Sequence, residues 1–243
     1  MIGKRKVILV GTGFVGMSMA YALLNQGNAS GVNELVLIDV LKDKAEGEAM
    51  DLCHGLPCSP SHMKIKSGEY SECKDADIVV ITAGLSQKPG QTRLELSNAN
   101  AKIMKNITEQ VIASGFKGIF LVASNPVDLM TKVVQEVSQF PTRKVIGSGT
   151  ALDTCRLRYL VGDYLNVSNK NVHAYIMGEH GDSSFVPWDH AYVGCKKIKD
   201  IIKDAKKDLS VLDKIYVEVR DAAYEIIEKK KATYYGIGLG LAK

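Results

Sequence analysis

Three short segments bring together residue types that move protons and hold anions: Gln87-Lys-Pro-Gly-Gln-Thr-Arg93, Leu152-Asp-Thr-Cys-Arg156 and Gly178-Glu-His-Gly-Asp182. Asp153 and Arg156 stand at i, i+3 in a helical pattern and so share a helix face. A carboxylate there can hold an imidazole in one tautomer and stabilise its protonated form, and a guanidinium can grip a substrate carboxylate through two parallel hydrogen bonds. His180 has Gly178 and Gly181 close by, which suits a side chain presented from a loop into a cleft. Arg158 lies two positions beyond Arg156, roughly 200° further around an ideal helix, so the two guanidinium groups cannot clasp one anion. Taken one at a time, each residue also has an ordinary reading: Asp153–Arg156 as a surface ion pair, His180 as a turn residue, Arg158 as a solvated charge.

A second kind of site opens the chain. Gly11-Thr-Gly13-Phe-Val-Gly16 fits G-x-G-x-x-G directly after the apolar run at residues 7–10 and before a helical pattern at residues 17–25. That context gives each glycine a job: the first permits the tight turn, the second lets the backbone approach a pyrophosphate, and the third lets helix and strand pack closely. The helix N-terminus adds unpaired N–H groups and positive dipole for the phosphates. Asp39 ends the second apolar run, where a carboxylate can accept the adenosine-ribose hydroxyls and repel a 2′-phosphate, favouring NAD over NADP. The plain alternative is a strand-to-helix turn with Asp39 as a helix cap.

These residues need a scaffold. Strands are expected at residues 7–10, 34–40, 64–67, 77–83, 118–124 and 144–146, most of them apolar and the third (64–67) weak, with helices at 17–25, 42–53, 94–114 and 127–138. Near-continuous apolar strands separated by helices predict an α/β fold, a doubly wound parallel sheet of Rossmann type. Beyond Thr150 the texture changes: a helix over 151–164, an extended stretch over 172–177, the Gly-His-Gly loop, and a long helix near 209–231. The expected division is a dinucleotide-binding domain at 1–148 and a partial α+β catalytic, substrate-binding domain at 149–243.

Composition narrows the function classes. A hydrophobic fraction of 46% and a charged fraction of 24% over 243 residues suit a globular core. The net charge of +4 is spread rather than massed, and the run Lys229–Lys231 follows Glu225 and Glu228 as a solvated helix face, so neither nucleic acid nor membrane is an expected partner. The start of the chain is too short and too soon broken by glycine for a spanning helix or a signal peptide. Five cysteines with no C-x-x-C spacing read as reduced thiols, and the expected compartment is cytoplasmic. No metal site is expected.

Taken together, the segments resemble the lactate/malate dehydrogenase family. GTGFVG, VLIDV, AEGEAMDLCHG, ADIVVITAG, QKPGQTR, ASNPVD, VIGSGTALDTCRLRYL, MGEHGDSS and ATYYGIG occur in the family's order along essentially the whole chain. The resemblance implies NAD as cofactor and a family role for each matching residue. His180 becomes the acid/base, Asp153 its carboxylate partner, Arg156 the binder of the substrate carboxylate, and Arg93 the loop arginine that polarises the ketone. Asn125 orients substrate and nicotinamide, and Thr233 lines the pocket. Gly11, Gly13, Val15, Gly16, Asp39, Lys44, Tyr70, Gly84, Ser124, Asn125 and Ser148 become cofactor contacts.

Gln87 separates substrates within the family. Malate dehydrogenases place an arginine there for a second carboxylate, and a neutral amide offers that charge no partner. The implied reaction is therefore the reversible NADH-dependent reduction of pyruvate to L-lactate in fermentation and glycolysis. Malate dehydrogenase activity, or an NAD-binding fragment without turnover, is the alternative. Arg158 and His173 match the pair that binds fructose 1,6-bisphosphate in many bacterial members, which implies activation by that effector across a subunit interface and a homo-oligomer, a tetramer in longer relatives. The chain stops at GIGLGLAK, within an expected helix, short of the family's C-terminus.

Overall fold

The computed structural model describes residues 5–85 and 93–243. Its first unit comprises β1 (Arg5–Val10), α1 (Phe14–Gln26), β2 (Val32–Ile38), α2 (Lys42–Gly55), β3 (Lys64–Ser67), β4 (Ile78–Ile81), α3 (Arg93–Ala113), β5 (Ile119–Val122), α4 (Val127–Ser138) and β6 (Val145–Gly147). The six strands form one sheet in the order β3-β2-β1-β4-β5-β6, and every pairing is parallel. This is the doubly wound Rossmann order, and it reverses direction between β1 and β4.

β1, β2 and β4 are apolar on both faces because helices cover both, whereas β3 at the edge exposes Lys64 and Lys66. Alternate residues of a strand point to opposite sides. Ile8, Val10, Val36, Ile38, Val79 and Ile81 join Met104, Val111 and Met130 of α3 and α4 in one core. Val7, Leu9, Leu35, Leu37 and Val80 join Met19, Leu23 and Leu24 of α1 in the other. Each fully buried aliphatic side chain contributes on the order of 1.5–3 kcal/mol. The sheet is thereby a rigid platform whose strand ends carry the turns of the site.

The second unit runs from Gly149 to Thr233. It contains α5 (Ala151–Leu165), a small antiparallel sheet of β7 (Val172–His173), β8 (Tyr192–Val193) and β9 (Lys196–Lys197), then α6 (Ile198–Asp204) and α7 (Val211–Lys230). Its own core holds Leu157, Val161, Ala174, Ile176, Ile198, Ile202, Leu212, Ile215 and Val219. The extended stretch expected at 172–177 is strand only at Val172–His173, followed by an isolated bridge between Met177 and Phe185. The pattern reading passed over α6, which is a helix of only seven residues.

Beyond Thr233 the chain returns to the first unit. Residues Tyr234–Lys243, including α8 (Tyr235–Ala242), pack with the first unit. Gly238 is what allows it: a Cβ there would sit 2.5 Å from the Ser18 Cβ and 2.8 Å from the Met19 amide nitrogen on α1. Ala242 is buried in the same core as Met19 and Leu23. No helix among the described residues is long and apolar enough to cross a membrane.

Candidate active site

The glycine turn sits at the C-terminal end of β1. Gly11 adopts φ +104°, and a Cβ there would meet the Ala83 backbone nitrogen at 2.5 Å. Gly16 lies on the first turn of α1, where a Cβ would come 2.2 Å from the Gly11 carbonyl oxygen. Both positions are closed to side chains by the fold itself. Gly13 is different, because a Cβ there meets nothing within 4 Å. It caps α1 with no side-chain hydrogen bond, and no acidic residue occupies that helix's first turn. The helix end is therefore a cradle of N–H groups with positive dipole and room for an anion, which fits a dinucleotide pyrophosphate. Val15 is half-buried beside it.

Asp39 follows β2. Its Oδ2 accepts the Thr12 amide at 2.7 Å and the Thr12 hydroxyl at 2.9 Å, and its Oδ1 accepts the Leu41 amide at 3.0 Å. Partial burial pushes its pKa up, but these hydrogen bonds and the charge of Lys44 outweigh burial and hold the carboxyl below its ordinary value. The side chain is thus kept as an anion just beyond the carboxyl end of β2, fit to accept ribose hydroxyls. Lys44 is exposed on α2. Tyr70 starts a short 3-10 turn, and burial, helped by the charges of Cys73, Asp39 and Glu69, pushes its phenol up to about 12.

The other residues expected at the cofactor end lie after β4, β5 and β6. Ser124 is buried and donates to the Ala83 carbonyl at 2.6 Å, and its Cβ stands 3.7 Å from where a Gly84 Cβ would be. Asn125 precedes a cis peptide to Pro126 and is exposed. The Ser148 amide donates to the Val122 carbonyl at 2.8 Å. Two residues here escaped the sequence reading. Thr12 fixes Asp39, and Asn100, almost fully buried on α3, accepts the Leu85 amide at 2.8 Å and donates to the Asn125 carbonyl at 2.8 Å. Asn100 shares a helix face with Met104, Ile107 and Val111, so an amide in an apolar stripe was the available signal.

The second unit brings Asp153, Arg156 and His180 together. His180 Nδ1 lies 2.6 Å from Asp153 Oδ2, and Arg156 Nη1 donates to Asp153 Oδ1 at 3.1 Å. One carboxylate thus engages both partners, with its side chain 11% exposed, Arg156 12% and His180 32%. The histidine ring reaches the surface while the groups that orient it stay inside. An arginine carries five N–H donors, so the bond to Asp153 leaves enough for a two-pronged hold on a carboxylate. Arg158 points elsewhere: its Nε donates to the Ala174 carbonyl at 3.0 Å, and its guanidinium lies 4.7 Å over the Tyr175 ring. His173 is exposed on β7. Thr233 is half-buried at the end of this unit. Gln87 lies outside the described residues, as does the side chain of Arg93, whose backbone opens α3.

Comparison with known families decides the relationship. The lactate/malate dehydrogenase NAD-binding domain matches residues 5–147, and the lactate/malate dehydrogenase alpha/beta C-terminal domain matches residues 150–243. The chain belongs to the lactate/malate dehydrogenase family. Among relatives in this family, L-lactate dehydrogenase 2 of Bacillus cereus is 55% identical over 242 residues, 99% of this chain and 76% of the relative. L-lactate dehydrogenase 1 of Bacillus anthracis is 53% identical over the same shares. A lactate dehydrogenase from a Medee basin deep-sea metagenome library superimposes with a TM-score of 0.94 at 56% identity, over 98% of this chain and 76% of that one. The minor L-lactate dehydrogenase of Enterococcus mundtii in its ligand-bound form does so with a TM-score of 0.94 at 51% identity, over the same shares. The family's cofactor is NAD, and the open Gly13 cradle and the anionic Asp39 are the groups of this chain that suit it.

Proposed function

We propose that the protein is an L-lactate dehydrogenase, interconverting pyruvate and L-lactate with NADH and NAD. The observation that carries the reading is the Asp153–His180 contact beside Arg156, on a chain whose close relatives are named L-lactate dehydrogenases. When bound, the nicotinamide supplies the hydride. Arg156 holds the substrate carboxylate, and protonated His180 gives its proton to the ketone oxygen. Asp153 keeps the imidazole in the tautomer that presents Nε2 and stabilises its charged form. Arg93 steadies the negative charge developing on that oxygen, an oriented cation of the kind worth a few kcal/mol. Gln87 favours a methyl group over a second carboxylate, which selects pyruvate over oxaloacetate.

The finer reading includes regulation and assembly. Fructose 1,6-bisphosphate is the proposed activator, held by Arg158 and His173 of two subunits of a homotetramer. Support comes from the orientation of Arg158, which turns away from Arg156 and lies along Ala174 and Tyr175, next to exposed His173. The proposed setting is cytoplasmic glycolysis and fermentation.

One assay tests these statements together. NADH absorbance is followed with pyruvate and with oxaloacetate, each with and without fructose 1,6-bisphosphate. Pyruvate-dependent oxidation that the effector enhances supports the full reading. Preference for oxaloacetate means malate dehydrogenase, and NADH binding without turnover means a binding protein only.

A further inference from the structure

The segment leading to His180 runs beside α5, and two hydroxyls of that helix bond to its backbone. Thr150 caps α5 and Thr154 lies one turn further on, so their side chains share a face. The Thr150 hydroxyl donates to the Ile176 carbonyl at 2.7 Å, and the Ile176 amide donates to the Thr154 hydroxyl at 3.0 Å. Both backbone groups of a single residue are therefore held by one helix. Asp153 is adjacent to Thr154 in that helix, and His180 lies four residues beyond Ile176 in the chain.

The loop that carries His180 is closed at its base. Met177 and Phe185 exchange two backbone hydrogen bonds of 2.9 Å each at the base of the loop. On the far side the Tyr216 hydroxyl, from α7, donates to the Ser184 carbonyl. Ile176 itself is buried, which decides which side of the segment faces inward. Burial does not fix position along the helix, because apolar contact is non-directional. A slip of one residue along an extended segment is ~3.3 Å. The Asp153–His180 contact of 2.6 Å tolerates a few tenths of an ångström. Directional bonds are what can meet that tolerance.

We propose that Thr150 and Thr154 are positioning residues of the acid/base, clamping Ile176 so that His180 meets Asp153; this rests on His180 being the acid/base. The test uses Thr154→Val, which keeps the shape and removes the acceptor, beside Thr154→Ser, which keeps it, and Thr150→Val, which removes only the donor. Two readings are taken. Turnover of pyruvate and NADH gives kcat and KM separately, and the pH titration of the His180 imidazole is followed by NMR, its signal identified by its loss in His180→Asn. The charged groups around the loop are Asp153 and Arg156 on α5, Glu179 and Asp182 in the loop, and Arg220 on α7, and all are unchanged in the three variants.

In Thr154→Val the expected result is a kcat lower by about ten- to a hundredfold with KM for NADH within twofold, since misplacement of a catalytic group by about an ångström has effects of that size. The His180 midpoint falls, because a displaced carboxylate favours the imidazolium less. Thr154→Ser restores both readings, and Thr150→Val shows the same changes more weakly. A Thr154→Val protein with wild-type kcat and midpoint overturns the proposal. So does one that loses stability and kcat while the midpoint stays in place, which marks a purely structural role. If the wild type turns over neither pyruvate nor oxaloacetate, the lactate dehydrogenase reading fails and the NMR midpoints alone decide the clamp. If Thr154→Val does not fold, Thr150→Val decides it by the same two readings.

Discussion

A single carboxylate, Asp153, touches both residues on which the proposed chemistry depends. Asp153→Asn offers the histidine an amide where it had an anion, so the imidazolium loses its counter-charge. Turnover is expected to fall by about 10²–10⁴-fold, the range for a disabled general acid, while NADH fluorescence titration gives an affinity close to wild type. Arg156→Lys keeps a positive charge but not the planar fork. Its main expected effect is a KM for pyruvate raised at least tenfold; a KM unchanged from wild type removes Arg156 from the carboxylate-binding role. The shared helix face of Asp153 and Arg156 was legible in the sequence from their i, i+3 spacing, whereas the proposed roles came from the resemblance of the combined segments and not from any one residue. Thr12 was not legible. Its bonds to Asp39 depend on the β1 turn and the end of β2 lying side by side, which no local pattern encodes.

At the scale of elements, the glycine turn makes its own contrast. Gly13 faces open space and has an ordinary backbone conformation, whereas Gly16 faces the Gly11 carbonyl at a distance no Cβ can occupy. Gly13→Ala is therefore expected to melt within a degree or two of wild type yet bind NADH several-fold more weakly, since the added methyl enters the space for the pyrophosphate. Gly16→Ala is expected to lose stability outright, by about 1–3 kcal/mol for an overpacked site. Thermal melts and NADH titrations of both variants check the pair.

The sheet's other end carries a charge cluster that predicts pH dependence. Lys6 on β1 is buried and bonds to Glu72 at 2.8 Å and Asp75 at 2.7 Å, with Lys66 of β3 also on Glu72 at 2.8 Å. Burial pulls the Lys6 pKa down, but the acidic partners outweigh it and the net direction is up. Glu72 is held below its ordinary value by its bonds to Lys6 and Lys66, and Asp75 by its bond to Lys6. The acids' contribution is complete above their ordinary carboxylate range and fades as pH drops through the lowered values. The lysine's contribution is complete below its ordinary value and fades as pH climbs through the raised one. Glu72→Gln should lower stability by about 1 kcal/mol at neutral pH, given solvent screening, and flatten the acid limb of a Tm-against-pH curve. An acid limb identical to wild type excludes this cluster as its cause.

For the whole molecule, the sheet order follows from sequence because apolar runs alternating with helices have few ways to pack, and parallel crossovers are right-handed. The return of α8 to the first unit does not follow. The stretch from α7 into ATYYGIG is continuous in sequence, and no periodicity tells which core will receive Ala242. Gly238→Val tests that packing. A larger side chain against Ser18 and Met19 is expected to cost about 1–3 kcal/mol, read as a Tm several degrees lower. Saturating NADH at a hundred times Kd should raise the wild-type melting point by the equivalent of about 2.7 kcal/mol, because the ligand binds only the folded state.

The same helix has a consequence for biosynthesis. The first unit is interrupted after Ser148 and resumes at Tyr234, so a growing polypeptide must emit all of Gly149–Thr233 before α8 can reach its seat on α1. Until then the α1 side chains meant to meet Gly238 and Ala242 wait uncovered on a ribosome-tethered intermediate. On a translating ribosome, that waiting surface is where a nascent-chain chaperone should linger, and where premature termination would leave a sticky product.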